Sequence, residues 1–189
     1  MKGDKSSCYI AWKQLGKEYL IKNRWITVRK DHVLQPSGVE IDDFYVIERP
    51  QMIHVVAITD EGYFVFEKQY RYAINRECLE ICAGLVEPIE TPLQAAQREL
   101  LEETGYAGGQ WQHLGVHAVD PSNMTEVSYS FLAKNVTKVS EQHLEKTESI
   151  ETVLLTEEEV EQSLIRGDIV SSLMAAPLWQ YLYSKHNCK

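Results

Sequence analysis

The chain has no run of basic residues. Its 189 residues include 19 Lys or Arg against 28 Asp or Glu, a net charge of -9. A protein that grips DNA or RNA needs a cationic patch to neutralise phosphates, so the composition argues against nucleic acid as a main partner. An acidic chain can still hold a polyphosphate when metal ions bridge the two, and the charge balance therefore points toward metal. No stretch approaches the ~20 apolar residues of a membrane span. Met1 to Ile10 carries Lys2 and Lys5 without an apolar run, so no secretory signal is expected. The expectation is a soluble, cytoplasmic protein with no membrane partner. The four cysteines, Cys8, Cys78, Cys82 and Cys188, show neither C-x-x-C nor zinc-ligand spacing. Cys78 and Cys82 stand four apart in an expected strand segment and read as small buried apolar residues on one face. The six histidines show no H-E-x-x-H spacing and receive no role. Repeats and low-complexity linkers are also missing.

What is present suits one folded domain with a small extension. Hydrophobic residues make up 44% of the chain, enough for a packed core. β-prone runs are read at Glu18 to Arg29 (two short strands about Lys22-Asn23-Arg24), Phe44 to Ile47, Met52 to Ile58, Tyr63 to Tyr70 and Leu79 to Ala83. Later runs fall at Leu114 to Val119, Val127 to Val136 and Ile150 to Leu155. Asp60-Glu61-Gly62 is a hairpin turn. The clearest helix spans Pro92 to Thr104, with Thr91 as N-cap, Gln94 closing a capping box, Pro92 at the first helical position and Gly105 as the stop. Two helices follow, near Glu157 to Ile165 and Ser171 to Lys185, the second expected to kink or shorten at Pro177. Many strands with few, irregularly placed helices indicate an α+β fold, a mixed sheet with helices packed on it.

Within the first helix Glu99, Glu102 and Glu103 stand at i, i+3 and i+4, so their carboxylates share one face. Leu93, Ala96 and Leu100 fall on another stripe that can face the core. A glutamate triplet alone would be a solvated surface. Clustered hard oxygen donors also suit Mg²⁺ or Mn²⁺, and the surrounding spacing favours that reading. The segment Gly84 to Tyr106 is similar to the Nudix box, G-x5-E-x7-R-E-U-x-E-E-x-G-U with U a bulky apolar residue. Gly84, Glu90, Arg98, Glu99, Leu100, Glu102, Glu103 and Gly105 fit, and Tyr106 stands at the last U. Seven fixed identities at roughly 7% each give a chance match of about 10⁻⁸ per start position.

The resemblance to the Nudix family implies an α/β/α sandwich around a mixed sheet. It implies that Glu99, Glu102 and Glu103 hold divalent ions, that Arg98 orients the catalytic glutamates, and that Glu90 supports the loop. Upstream, Gln69-Tyr70-Arg71, Glu77 and Leu79 to Gly84 resemble the stretch before the box in ADP-ribose pyrophosphatases and related nucleotide-sugar hydrolases, with Cys82 where that branch has proline. There the backbone carbonyl at the Ala83 position can ligate a metal. Pro121, the segment Glu145 to Ile150 and the tail through Gly167-Asp168-Ile169 also resemble that branch. Glu148, and second to it Glu145, matches a mobile catalytic glutamate.

The implied reaction is Mg²⁺- or Mn²⁺-dependent hydrolysis of a nucleoside diphosphate-sugar, foremost ADP-ribose to AMP and ribose 5-phosphate. GDP-mannose or another nucleotide sugar is the alternative within enzymes, and a catalytically silent nucleotide-sensing module the alternative outside them. Arg71 reads as a phosphate clamp or a surface ion pair. Glu80 reads as a residue lining the substrate site or a charge on the solvent face of a strand. Trp25 reads as a base-stacking platform or a core residue. By resemblance, residues 1–50 form a β-rich extension that builds a homodimer and helps shape the base pocket, and residues 51–189 form the hydrolase domain.

Overall fold

A computed structural model describes residues 11–23 and 26–187. The chain divides into two compact units, one running to Arg49 with Asp120–Glu126 added, the other comprising Pro50–Val119 and Val127 onward. Among the described residues no helix is long and apolar enough to cross a membrane.

The first unit is a three-stranded antiparallel sheet of β1 (Lys13–Lys22), β2 (Thr27–Leu34) and β3 (Glu40–Glu48), in that order. The two short strands expected about Asn23 are longer, because the hairpin pairing continues from Lys22↔Thr27 to Lys13↔Leu34 through two register shifts, at Tyr19/Ile21 and Gln14/Gly16. The sheet encloses a charge: buried Asp31 accepts from Arg29 Nε at 2.9 Å and from Gln14 Nε2 at 2.9 Å. The Asp120–Glu126 segment joins β3, where Ile47 N donates to Asn123 O at 2.8 Å and Thr125 N to Ile47 O at 3.0 Å.

The second unit is built on a mixed sheet of eight strands. These are β4 (Met52–Thr59), β5 (Phe64–Arg71), β6 (Arg76–Glu80), β7 (Ala83–Leu85), β8 (Tyr106–Ala107), β9 (Gln110–Ala118), β10 (Val127–Lys138) and β11 (Ile150–Leu155). The path runs β11-β5-β4-β10-β8, with β6 on β5, β7 on β4 and β9 on β10. The β4–β10 pairing is parallel and the others antiparallel. Helix α1 (Pro92–Thr104) packs on one side. There Ala95, Ala96 and Leu100 meet Ile53, Val55, Ala57, Val65 and Cys82. Helices α2 (Glu157–Arg166) and α3 (Ser172–Asn187) bring Val160, Leu164, Met174, Leu178 and Tyr181 into one core with Val56, Phe64, Phe66 and Leu132. The alternation of β4 and β5 residues between two apolar environments is the period-2 rule for a sheet covered on both faces, and it produces the expected α/β/α layering.

Four sequence expectations need correction. Leu79 to Gly84 is not one strand. β4 and β5 pair directly only at Ala57↔Val65 and Ile58↔Phe64, then diverge. β6 pairs β5 and β7 pairs β4, so the chain changes partner at Ile81-Cys82 and enters the fork; Val55 N donates to Cys82 O at 2.9 Å there. Cys78 and Cys82 are both buried free thiols, but Cys82 lies beyond the strand end, so strand alternation does not relate them. Leu93 is exposed rather than on the core stripe, which consists of Ala95, Ala96, Leu100, Glu103 and Thr104. Finally, α3 is not shortened at Pro177. It runs through to Asn187, because burial of Met174, Leu178, Tyr181 and Leu182 on both sides of the proline outweighs one missing N–H donor.

Candidate active site

Local rules place the glutamate helix. Thr91 Oγ1 accepts from Gln94 N at 3.3 Å and Gln94 Oε1 from Thr91 N at 2.8 Å, a complete capping box behind Pro92. Gly105 ends the helix at φ 76°, its N–H on Leu101 O; a Cβ there would also meet Ser140 O at 2.2 Å. Both ends stand where the sequence places them.

Arg98 organises the solvent side of the helix. Its Nε and Nη2 donate to the Glu90 carboxylate at 3.2 and 2.7 Å, and Nη2 also to Leu85 O at 3.2 Å. Its Nη1 lies 2.9 Å from Glu99 Oε1 and 3.0 Å from Glu102 Oε2. One guanidinium thereby ties three carboxylates and the loop before the helix into one frame. The hydrogen bonds from Arg98 hold Glu90 below the usual carboxylate range.

The three box glutamates share a face but not an environment. The Glu102 side chain is 45% exposed, that of Glu99 14% exposed, and Glu103 as a residue only 6% exposed. Glu99 lies against Gly84, where a Cβ would come within 2.1 Å of its carboxyl carbon, so glycine is needed for the approach. Burial raises the pKa of Glu99 in spite of Arg98, with the charges of Glu102 and Glu148 adding to the rise. Glu103 is pushed up to about 8, first by burial and then by Glu99, while the Cys82 thiol and the Ala83 N–H favour its charged form. Glu103 Oε2 is buried and has no hydrogen-bond partner.

The remaining expected residues fall as follows. Ala83 begins β7, paired with His54 in β4 and adjacent to the Glu103 carboxylate. Glu148 is half-buried in the loop before β11. Its Oε2 accepts from Glu145 N at 2.8 Å, and its charge reaches both Glu99 and Glu103. Glu145 is exposed, and its own backbone N–H helps hold Glu148. Gln142 anchors the same loop, its amide donating to Glu103 O and, at 3.3 Å, to Ile150 O. Arg71 grips Glu80 with two donors, Nε to Oε1 at 2.8 Å and Nη2 to Oε2. Glu80 is therefore a buried partner of Arg71 rather than a charge on a solvent face. Trp25 lies outside the described residues.

Sequence reasoning missed Glu67 and Cys82. Glu67 is in β5, opposite Glu80, and is 3% exposed. Ligand atoms of Glu67, Cys82 and Glu103 all lie within 4.8 Å of one another. A usable signal was present: in Phe64-Val65-Phe66-Glu67 the fourth position continues the inward face begun by Val65, and a carboxylate there has to be buried.

Hard oxygen donors gathered beside an orphaned buried carboxylate oxygen fit divalent cations. Glu99, Glu102 and Glu103 with the Ala83 backbone are the residues that would hold them.

Residues 49–172 match the NUDIX domain, and residues 12–47 match the nucleoside diphosphate sugar hydrolase N-terminal domain. The chain is 30% identical over 174 residues to the ADP-ribose pyrophosphatase of Bacillus subtilis (strain 168), covering 92% of this chain and 93% of that one. It is 31% identical over 161 residues to the methanol dehydrogenase activator of Bacillus methanolicus, covering 85% and 86%. The crystal structure of an ADP compounds hydrolase superposes with a TM-score of 0.80 over 93% of this chain and 95% of that one, at 21% identity, which shows a shared fold. With the box matched residue by residue, its helix capped and its carboxylates gathered about Arg98, the chain belongs to the NUDIX hydrolase family.

Proposed function

We propose that the protein hydrolyses the diphosphate of a nucleoside diphosphate-sugar, ADP-ribose foremost, to AMP and ribose 5-phosphate. The observation that carries this reading is the carboxylate frame: Glu99, Glu102 and Glu103 intact on one helix, fixed by Arg98, with Glu148 brought near. A relative of matching length named ADP-ribose pyrophosphatase supports the substrate class.

Glu99, Glu102, Glu103 and the Ala83 carbonyl would hold Mg²⁺ or Mn²⁺, which supplies neutralisation of the diphosphate oxygens and a more acidic water. Glu148 takes the proton of the attacking water, because it is the loop glutamate whose charge is felt by Glu99 and Glu103. Glu145 keeps the loop turn. Arg98 holds the carboxylates in place, and Arg71, prepaid by Glu80, presents its half-exposed guanidinium to a phosphate. Trp25 stacks on the base.

The N-terminal unit forms a homodimer. Trp12, Leu15, Leu20, Ile21 and Tyr45 are exposed on its strands and flanks, an apolar surface suited to a second copy. A monomeric mass in sedimentation at micromolar concentration would refute this. The reaction takes place in the cytoplasm on a free small molecule.

The test is product release from a panel including ADP-ribose and GDP-mannose with Mg²⁺ or Mn²⁺, using Glu102→Gln and Glu103→Gln as controls. Turnover of one substrate, lost in both controls, supports the reading and names the sugar. No turnover of any diphosphate-linked compound would point to a silent nucleotide-sensing module instead.

A further inference from the structure

The fork between β4 and β5 holds more acid than the reaction needs. Glu67 and Glu103 face one another there, 3% and 6% exposed, with the Cys82 thiol beside them. Glu67 Oε1 and Glu103 Oε2 are both buried and accept from no N–H or hydroxyl donor among the described residues, and the two carboxyls lie within hydrogen-bonding reach of each other. Buried polar atoms are nearly always paired, and an unpaired buried carboxylate is among the costliest groups to keep. Arg71, the nearby cation, gives its two hydrogen bonds to Glu80, so it favours ionised Glu67 through its charge alone.

We propose that Glu67, Cys82 and Glu103 form an inner cation site that takes a thiophilic divalent ion, Zn²⁺ or its spectroscopic substitute Co²⁺, in preference to Mg²⁺. Donors around one tetrahedral ion at bond lengths of about 2.0–2.3 Å stand roughly 3.3–3.8 Å apart, and the three ligand atoms, all within 4.8 Å of one another, reach that spacing by side-chain shifts of at most about 1.5 Å. Two carboxylate oxygens and one sulfur are a mixed donor set. Sulfur is what separates the inner site from the all-oxygen set of Glu99, Glu102 and the Ala83 carbonyl, because thiolate binds Zn²⁺ or Co²⁺ far better than Mg²⁺. On binding, the thiol proton leaves to solvent and the sulfur binds as thiolate. The position of Cys82 at the crossover supports the role. The chain must pass there between β6 and β7, so the thiol is fixed by backbone pairing on both sides, including Val55 N to Cys82 O. Glu103 is common to the inner and outer sets, so a thiophilic ion is expected to compete with Mg²⁺ for that one carboxylate while leaving Glu99, Glu102 and the Ala83 carbonyl free.

The inner site does not depend on the hydrolase reading, and its test does not read turnover. The full chain, stripped of metal, is titrated with Co²⁺ in excess Mg²⁺ while the near-ultraviolet sulfur-to-cobalt charge-transfer band is followed. The expected result is a saturating band at one equivalent, displaced by Zn²⁺, absent in Cys82→Ser and retained in Cys78→Ser. Glu67→Gln should weaken Co²⁺ at least tenfold and leave Mg²⁺ affinity within twofold. Circular dichroism of each variant confirms folding. Absence of the band in wild type overturns the site whatever the variants do, and leaves a proton shared between Glu67 and Glu103 as what neutralises them. A band that survives in folded Cys82→Ser overturns it equally.

Discussion

The two faces of the eight-stranded sheet obey the same alternation and are used in opposite ways. Toward α2 and α3, β5 sends Phe64 and Phe66 into a core with Leu178, Met174 and Tyr181. Toward α1, the same strand sends Val65 and then Glu67, and the helix answers with Ala95, Ala96 and Glu103. One face is filled with large apolar side chains. The other mixes Ile53, Val55, Leu100 and Phe131 with the small Ala95 and Ala96 of the helix, and admits the carboxylates of Glu67 and Glu103. Stability is expected to be concentrated on the first face and chemistry on the second, where buried charge is tolerated because cations are to be bound.

Substitutions on the two faces should separate these roles. The largest effect expected is on chemistry: Glu148→Gln should lower kcat by about 10²–10⁴-fold, the usual worth of a positioned base, with little change in melting temperature. Glu145→Gln should stay within a few-fold in the same steady-state assay, since its backbone rather than its carboxylate holds the loop. On the opposite face, Leu178→Ala should cost about 2–5 kcal/mol in denaturant unfolding and leave kcat of the folded enzyme nearly unchanged.

The pH response sharpens the contrast. Glu103 stands at about 8 in the fold, above its ordinary value near 4.5. In that window the folded state holds more protons than the unfolded one, so metal-free stability should fall as pH rises from about 4.5 to 8; Glu103 contributes at most ~1.4 kcal/mol per pH unit, and Glu67 and Glu99, also raised by burial, add to the fall. Melting scans of the metal-free protein should show this slope, Glu103→Gln should make it shallower, and saturating Mg²⁺ should oppose it because cations bind the ionised form. A rising or level curve for the metal-free wild type would contradict the burial argument. The smallest effect is local: Thr91→Ala removes the N-cap of α1 and should cost about 1 kcal/mol in chemical unfolding.

Legibility followed range. The capping box of Thr91 and Gln94, Pro92 and the stop at Gly105 act within a few residues, and both ends of α1 are as read. The strand Ile150–Leu155 and the hairpin about Gly62 were equally visible, from β-branched runs and a glycine at φ 91°. The split at Ile81-Cys82 was not, because a continuous β-prone run does not reveal that its two halves pair with different strands. Leu93 misled for a related reason: Ala96 and Leu100 are buried as read, but the stripe does not reach back to Leu93, and packing against Val55 and Val65 adds Ala95 instead.

The sequence by itself determined the family, the helix that carries the carboxylates and the chemistry they can support, since helix periodicity, capping and motif spacing are properties of neighbouring residues. Tertiary structure alone decided that Glu102 lies near the surface while Glu103 is buried, that the Glu148 carboxylate accepts from the backbone of Glu145, that Arg71 is already held by Glu80, and that Glu67 lies beside Cys82 and Glu103. Those outcomes depend on strand register and on where the chain crosses the fork between β4 and β5. Pairing among Glu67, Cys82 and Glu103 joins positions far apart in the chain, and no local rule contains it.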